Sequence, residues 1–330
     1  DNVKSISPAP GHIMLSTFYI TSGEVNNENF MTPFDYVIMD EASQALLGMC
    51  AVVKLLGRKC LFVGDNNQLA PVIAINEDRI ARRNYHFYVN GLLSLNTISK
   101  IPSYRLSETY RLTKRAAEFT GQFYNGTLTS VSDAKVPFRY DDLQNSIAAF
   151  FHPYGGPTLI KTDLPLGDKK PVLALQLTTL LVSALLGRKE RLHVSVLTFY
   201  IETTKALQKT IYQTIGVHNN LLIDTVSRIQ GLTTDVAIYV IPNTSYYRLL
   251  ERRLFNVATS RARRHTIIVC DNMIMKHLEI VDADVRKFFV NLDAESFYLP
   301  IKTQTNAFIE GRQNEEEILY EHETEKSLNE

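Results

Sequence analysis

Between Thr158 and Cys270 the chain alternates short apolar runs with stretches of helical periodicity, a pattern that few folds accept. The expected elements are strand Thr158–Lys161, helix Val172–Leu186, strand Leu192–Phe199, helix Glu202–Ile215, strands Leu221–Val226 and Asp235–Ile241, helix Tyr247–Val257 and strand His265–Cys270. Strands alternating with helices over short connections build a parallel sheet with right-handed crossovers, so the fold class expected is α/β. The longest apolar stretch, Pro171 to Leu186, is interrupted by Gln176, Thr178, Thr179 and Ser183. It reads as a core helix and not as a membrane span. A closing helix is expected at Asp282–Leu292, and the glutamate-dense residues 310–330 read as a solvated helix or disordered tail.

Upstream, Tyr36–Met39 and Cys60–Val63 are apolar runs that stop at acids: Asp40 and Glu41 after the first, Asp65 after the second. Buried strands with carboxylates at their C-terminal ends suit an open α/β sheet, where ligands sit beyond those ends. The chemistry suggested is Mg-nucleotide hydrolysis, one carboxylate in the metal shell and a neighbour activating water. An Asp-Glu pair alone is more often a solvated loop. The residues that follow each run narrow the choice. Between the two runs, Ala45, Met49, Val52, Val53 and Leu56 recur at helical spacing, so Gln44–Leu56 should pack on the sheet.

In combination, DEASQ at 40–44 and GDNNQLAPV at 64–72 resemble motifs II and III of superfamily 1 helicases, in the branch typified by the nonsense-mediated-decay (upframeshift) RNA helicases. Three further stretches match that family. ETYR at 108–111, a following helix marked by Leu112, Ala116, Phe119 and Phe123, and FYNGTL at 123–128 resemble its YR motif. DTVSRIQGLTTD at 224–235 resembles motif V, with Ser227 where the family usually has an acid and Thr233 where it has Glu. NVATSRAR at 256–263 resembles motif VI, with Ser260 in place of Thr.

The resemblance implies two RecA-like P-loop NTPase-type domains with parallel sheets, the first incomplete, divided as 1–135 and 136–295, with an acidic tail at 296–330. It implies ATP and Mg2+ as cofactors, and single-stranded DNA or RNA as partner. By the match, Asp40 holds Mg2+ through water and Glu41 is the general base that orients the attacking water. Gln44 and Gln68 would sit near the γ-phosphate, and Asp65 would link motif III to the metal. Tyr110 would stack on the adenine and Arg111 would meet the γ-phosphate. Arg261 would be the arginine finger, with Arg263 a second cation. Thr225 and the Gln230-Gly231 turn would contact nucleic acid. Ser16 and Thr17, after an expected strand at Ile13–Leu15, would touch its backbone, or else cap a strand end.

The implied activity is an ATP-dependent helicase moving 5′ to 3′ in the cytoplasm, or in the nucleus of a eukaryote, with no membrane partner. No GxxxxGK[ST] phosphate-binding loop occurs in the 330 residues. The expectation is therefore that Asp1 lies downstream of motif I in a longer helicase. Two alternatives stay open: a helicase-fold scaffold or nucleic-acid-binding protein without hydrolysis, and a split ATPase whose P-loop comes from a partner chain.

Composition constrains the partner. Lys plus Arg equals Asp plus Glu, 35 each, so strand binding must come from a local basic groove and not from a global positive field. One such stretch is Asp78 to Tyr88, where Arg79, Arg82 and Arg83 interleave with Tyr85, His86, Phe87 and Tyr88. It reads either as a single-strand-binding surface or as a solvated helix leading into core aromatics. Cys50, Cys60 and Cys270 stand too far apart for a zinc site and read as reduced thiols.

Overall fold

The computed structural model describes residues 10–26, 34–98, 101–131 and 145–299. The expected domain boundary at 135/136 and the tail from residue 300 onward lie outside the described residues. The chain forms two compact units, 1–105 and 106–330.

In the first unit, β1 (Phe34–Met39) and β2 (Gly57–Phe62) pair in parallel, Phe34 opposite Gly57 and Met39 opposite Phe62. Helix Leu47–Leu56 makes the crossover between them and buries Cys50, Val53 and Leu56. It starts later than its apolar spacing suggests, because Ala42–Gln44 forms a separate 3-10 turn. The expected strand at Ile13–Leu15 does not form. Ile13 and Leu15 are 92% and 94% exposed, so no neighbour in the described residues supplies the burial a strand would need.

The second unit opens with a short parallel pair, β3 (Glu108–Thr109) and β4 (Thr129–Ser130), closed by helix Lys114–Gly121. Asn125 and Gly126, both at positive φ, turn the chain after that helix as expected. The main sheet contains β5 (Gly156–Thr162), β6 (Val194–Thr198), β7 (Leu221–Thr225), β8 (Thr234–Ile241), β9 (Ala262–Asp271) and β10 (Phe297–Leu299). All its pairings are parallel, in the order β10-β5-β9-β8-β6-β7. β5, β6, β8 and β9 are buried almost throughout, which is why they read as nearly unbroken apolar runs. Helix Val172–Leu186 is core, as expected, and no described helix is long and apolar enough to cross a membrane.

Three details differ from the expected outline. The compact units part at Arg105/Leu106, thirty residues before 135/136, because the segment carrying Tyr110 packs onto the large sheet. Arg115 ties it there, with Nη1 donating to Pro157 O (2.6 Å) and Gly155 O (3.2 Å) and Nη2 to Glu295 (2.7 Å). At the other end, Phe297–Leu299 is an edge strand on β5, so the sheet continues past 295. The expected helix Tyr247–Val257 is two helices, Tyr246–Leu249 and Arg252–Thr259, because Glu251 Oε2 accepts from Leu254 N and starts a new one.

An aromatic cluster packs inside the second unit. Phe255, fully buried, lies 5.1 Å from Phe288, 5.3 Å from Phe289 and 6.2 Å from Phe123, ring centre to ring centre. Phe123 belongs to the Tyr110 segment, so this cluster is what docks that segment. Phe255→Leu is expected to cost roughly 1–2 kcal/mol through lost ring contacts, a melting shift of a few degrees. Thermal denaturation checks it.

His265 is 1% exposed, its ring edge-on to Phe151 at 5.2 Å. Burial, and after it the charges of Arg264, His152, Arg115 and Arg188, pushes its pKa down to about 3. The unfolded chain protonates this histidine near ~6.5. Between those values the unfolded state binds the extra proton, so the stability is intact above ~6.5 and falls as pH falls toward 3, by about 1.4 kcal/mol per unit. Melting temperatures measured from pH 7.5 to pH ~5 should drop, and His265→Leu should flatten that slope.

Candidate functional site

The sequence-derived site residues fall into two groups, one in each unit, with Ser16 and Thr17 apart from both. In the first unit the strand pairing runs past the strand ends. Val63 N donates to Met39 O (2.9 Å) and Ala42 N to Val63 O (2.8 Å), so Asp40-Glu41 and Gly64-Asp65 emerge side by side. Gly64 permits this approach. A Cβ there would stand 2.6 Å from Ser43 N, 2.9 Å from Leu92 Cδ2 and 3.0 Å from Ala42 N.

Within the first loop Glu41 adopts the left-handed conformation, φ 52°, and its N–H donates to Asp40 Oδ1 at 2.8 Å. A glutamate held there is strained, and such strain concentrates at functional loops. Gln44 is exposed at the end of the 3-10 turn. In the second loop Asp65 organises its successors: Oδ1 accepts from Asn67 N (2.9 Å) and Oδ2 from Gln68 Nε2 (3.0 Å). Asp65 therefore fixes the Gln68 amide, an arrangement GDNNQ carries locally in its spacing.

The donor set fits magnesium in one specific way. Asp40 is exposed at its strand end, and among the described residues only its Oδ1 takes a hydrogen bond. A single carboxylate with open solvent around it suits a hard, strongly hydrated cation held through water. Asp40 would hold that ion, whose chemistry when bound is to neutralise phosphate oxygens.

In the second unit Tyr110 is 81% exposed, its ring open to stacking. Arg111 beside it is half-buried, and its Nη1 donates to Ser260 O at 3.3 Å. The next residue, Arg261, is only 2% exposed. Its Nε donates to Val257 O (3.0 Å) and its Nη1 to Leu232 O (3.4 Å), while Thr234 N returns a bond to Arg261 O (3.1 Å). The YR segment, the end of helix Arg252–Thr259 and the loop ahead of β8 thus converge on one spot. Gly231 in that loop has φ 82°, a conformation that favours glycine.

Thr225 ends β7 and is buried, its hydroxyl 3.3 Å from Ser227 Oγ. Gln230 is half-buried farther along the same loop, and Arg263 is exposed on β9. Ser16 and Thr17 are exposed ahead of the short helix Phe18–Ser22 and, among the described residues, bond only locally, Ser16 Oγ to Thr17 O at 3.2 Å. The sequence reading did not anticipate Gly64, Ser260 or Leu232. Gly64 could have been found from its place at a strand end. The other two act through backbone carbonyls, which any residue supplies.

Two family models, each described as an AAA domain, match residues 10–75 and 90–273, the second spanning more than half of the chain. The chain belongs to the AAA-domain family. This AAA-domain chain has two RecA-like ATPase domains with parallel sheets, the N-terminal one smaller than the C-terminal one. It is similar to an uncharacterized ATP-dependent helicase of Methanocaldococcus jannaschii, 22% identical over 77% of this chain and 38% of that protein. DNA-binding protein SMUBP-2 of Mesocricetus auratus is 25% identical over 72% of this chain and 25% of its own length. ATP-dependent helicase upf1 of Schizosaccharomyces pombe is 24% identical over 74% of this chain and 27% of its own.

The fold is superfamily-1-like and related to these proteins at low identity. The chain spans between a quarter and two-fifths of their length. Among solved structures, a PRRSV helicase aligns with TM-score 0.36 and 18% identity, covering 71% of this chain and 34% of that one.

Proposed function

We propose that this chain is part of an ATP-dependent superfamily 1 helicase of the upframeshift-like branch, coupling ATP hydrolysis between two RecA-like domains to 5′-to-3′ movement along single-stranded DNA or RNA. The observation that carries this reading is the pair of acidic loops joined at Gly64, at the C-terminal ends of two adjacent parallel strands. Asp40 binds Mg2+ through water, Glu41 orients the attacking water, and Gln44 and Gln68 read the γ-phosphate. Asp65 acts by holding Gln68. From the first domain Tyr110 also stacks on the adenine and Arg111 meets the γ-phosphate, and from the second Arg261 and Arg263 balance phosphate charge. Thr225, Gln230 and Gly231, with Ser16 and Thr17, contact the strand. The domains fall as 1–135 and 136–295, assigned by motif.

One observation favours a second reading. No GxxxxGK[ST] occurs in the 330 residues, so a helicase-fold scaffold without hydrolysis, or a split ATPase, is the rival. The experiment is the intact mass of the native polypeptide, followed by ATP turnover of that same preparation with and without single strands. Strand-stimulated turnover is the expected result. Strand binding without turnover would transfer the assignment to the scaffold. A copurifying chain that carries the P-loop would identify the split enzyme.

A further inference from the structure

Residues 76–94 of the first unit leave three aromatic rings and three arginines in solvent together. Helix Glu77–Arg83 begins at Asn76, whose Oδ1 accepts from Asp78 N at 2.8 Å, and is anchored by Ile80, 4% exposed. Arg79, Arg82 and Arg83 are all exposed, and their spacing puts them on one face of the helix. Among the described residues, none of the ion pairs involves any of the three.

Asn84, in the left-handed conformation at φ 55°, then turns the chain directly into helix His86–Val89. That helix is fixed from beneath. The buried Ser94 hydroxyl lies 2.6 Å from Phe87 O and 2.8 Å from Asn90 O, and Asn90 Nδ2 donates to His86 O at 3.1 Å.

The rings carried by this backbone are partly open to water. Tyr85 is 39% exposed, Phe87 43% and Tyr88 61%. Tyr85 and Tyr88 meet edge to face with centroids 5.9 Å apart. The core reading of this aromatic run is thereby overturned. Three large aromatics in four residues stay 39–61% exposed beside guanidinium groups that form no ion pair among the described residues, more exposed ring surface than a packing role alone requires. Guanidinium groups match phosphates and exposed rings match unstacked bases, so together they fit a single-stranded nucleic acid better than an aliphatic protein surface.

We infer that Arg79, Arg82 and Arg83 with Tyr85, Phe87 and Tyr88 form a single-strand-binding surface of the first unit, separate from the motif-derived contacts. The arginines take the phosphate backbone and the rings stack on bases. This inference rests on the nucleic-acid reading proposed above and adds to it a strand contact that none of the helicase-like motifs supplies.

The test is fluorescence anisotropy of labelled oligothymidylate and oligouridylate, ~20 nucleotides long, titrated with the full 330-residue chain over a salt series. Arg79→Ala/Arg82→Ala/Arg83→Ala should weaken binding at least ~10-fold and lower the salt slope by about 2, at ~0.7 per phosphate contact. Tyr88→Ala should weaken binding about 10-fold, whereas Tyr88→Phe, which keeps the ring, should bind like the unaltered chain. Unchanged melting temperatures certify that these exposed replacements leave the fold intact. If the unaltered chain binds and the triple variant binds equally well with the same salt slope, this surface is overturned while the helicase reading stands. If the unaltered chain binds neither oligonucleotide, this surface is overturned, while the helicase reading is decided separately by strand-stimulated turnover of the native polypeptide. Equal competition by a base-free polyanion such as polyphosphate would overturn the stacking half of the inference.

Discussion

Arg261→Ala is expected to lower strand-stimulated ATP turnover of the native polypeptide by about 10³-fold, the scale of removing an arginine that stabilises the phosphoryl-transfer transition state. The same change should also loosen the second unit. The guanidinium is buried and donates to Val257 O and Leu232 O. Deleting it leaves those carbonyls short of a donor, at a cost of about 1–3 kcal/mol. Arg261→Lys separates the two effects. Lysine keeps the charge but not the planar fork that reaches two carbonyls from one side chain, so part of the stability should return while turnover stays low. Turnover at saturating ATP, read beside urea denaturation of the same variants, checks both. Turnover within about tenfold of the unaltered protein would remove Arg261 from the finger role and leave it a strut between helix Arg252–Thr259 and the loop at Leu232.

Glu41→Gln is the second large effect. Glutamine has nearly the same shape, and the bond from the residue-41 N–H to Asp40 Oδ1 comes from the backbone, so the loop should keep its geometry. What disappears is a carboxylate able to accept a proton from water, a loss on the order of 10²–10⁴ in turnover. Nucleotide affinity should stay near that of the unaltered protein, because the adenine contact proposed above falls to Tyr110 and the phosphate contacts to other side chains. A fluorescent ATP analogue measures the affinity and phosphate release measures the turnover. Near-normal turnover would sink the assignment of Glu41 as base, and a parallel loss of nucleotide binding would point to a collapsed loop.

Much of this molecule is legible in its sequence. Helix Val172–Leu186 has the bounds its apolar pattern predicts, and β5 to β9 fall within a few residues of theirs. They are legible because a strand buried on both faces must be apolar along its whole length. The acidic loop residues were legible too, since each ends an apolar run, but the burial expected of those two runs is not found. Tyr36, Ile38 and Leu61 are 68%, 67% and 54% exposed, because among the described residues only helix Leu47–Leu56 and its neighbours cover one side of the β1-β2 pair. Local chemistry escaped where a cap outweighs periodicity. Glu251 divides what looks like one helix, and apolar spacing says nothing of a carboxylate that accepts from Leu254 N. The strand at Ile13–Leu15 failed for the opposite reason: the run is apolar, but nothing in the described residues covers it.

The sequence by itself determined the parallel α/β architecture, the crossover helices and the carboxylates at the strand ends, because burial period and chain direction are local properties. Only the tertiary structure decided which unit holds the Tyr110–Arg111 segment. It did so through contacts between residues far apart in the chain: Arg111 to Ser260, Arg115 to Pro157, and Phe123 against Phe255. Two of the three end on a backbone carbonyl, a group every residue carries, so no spacing in the sequence could have announced them.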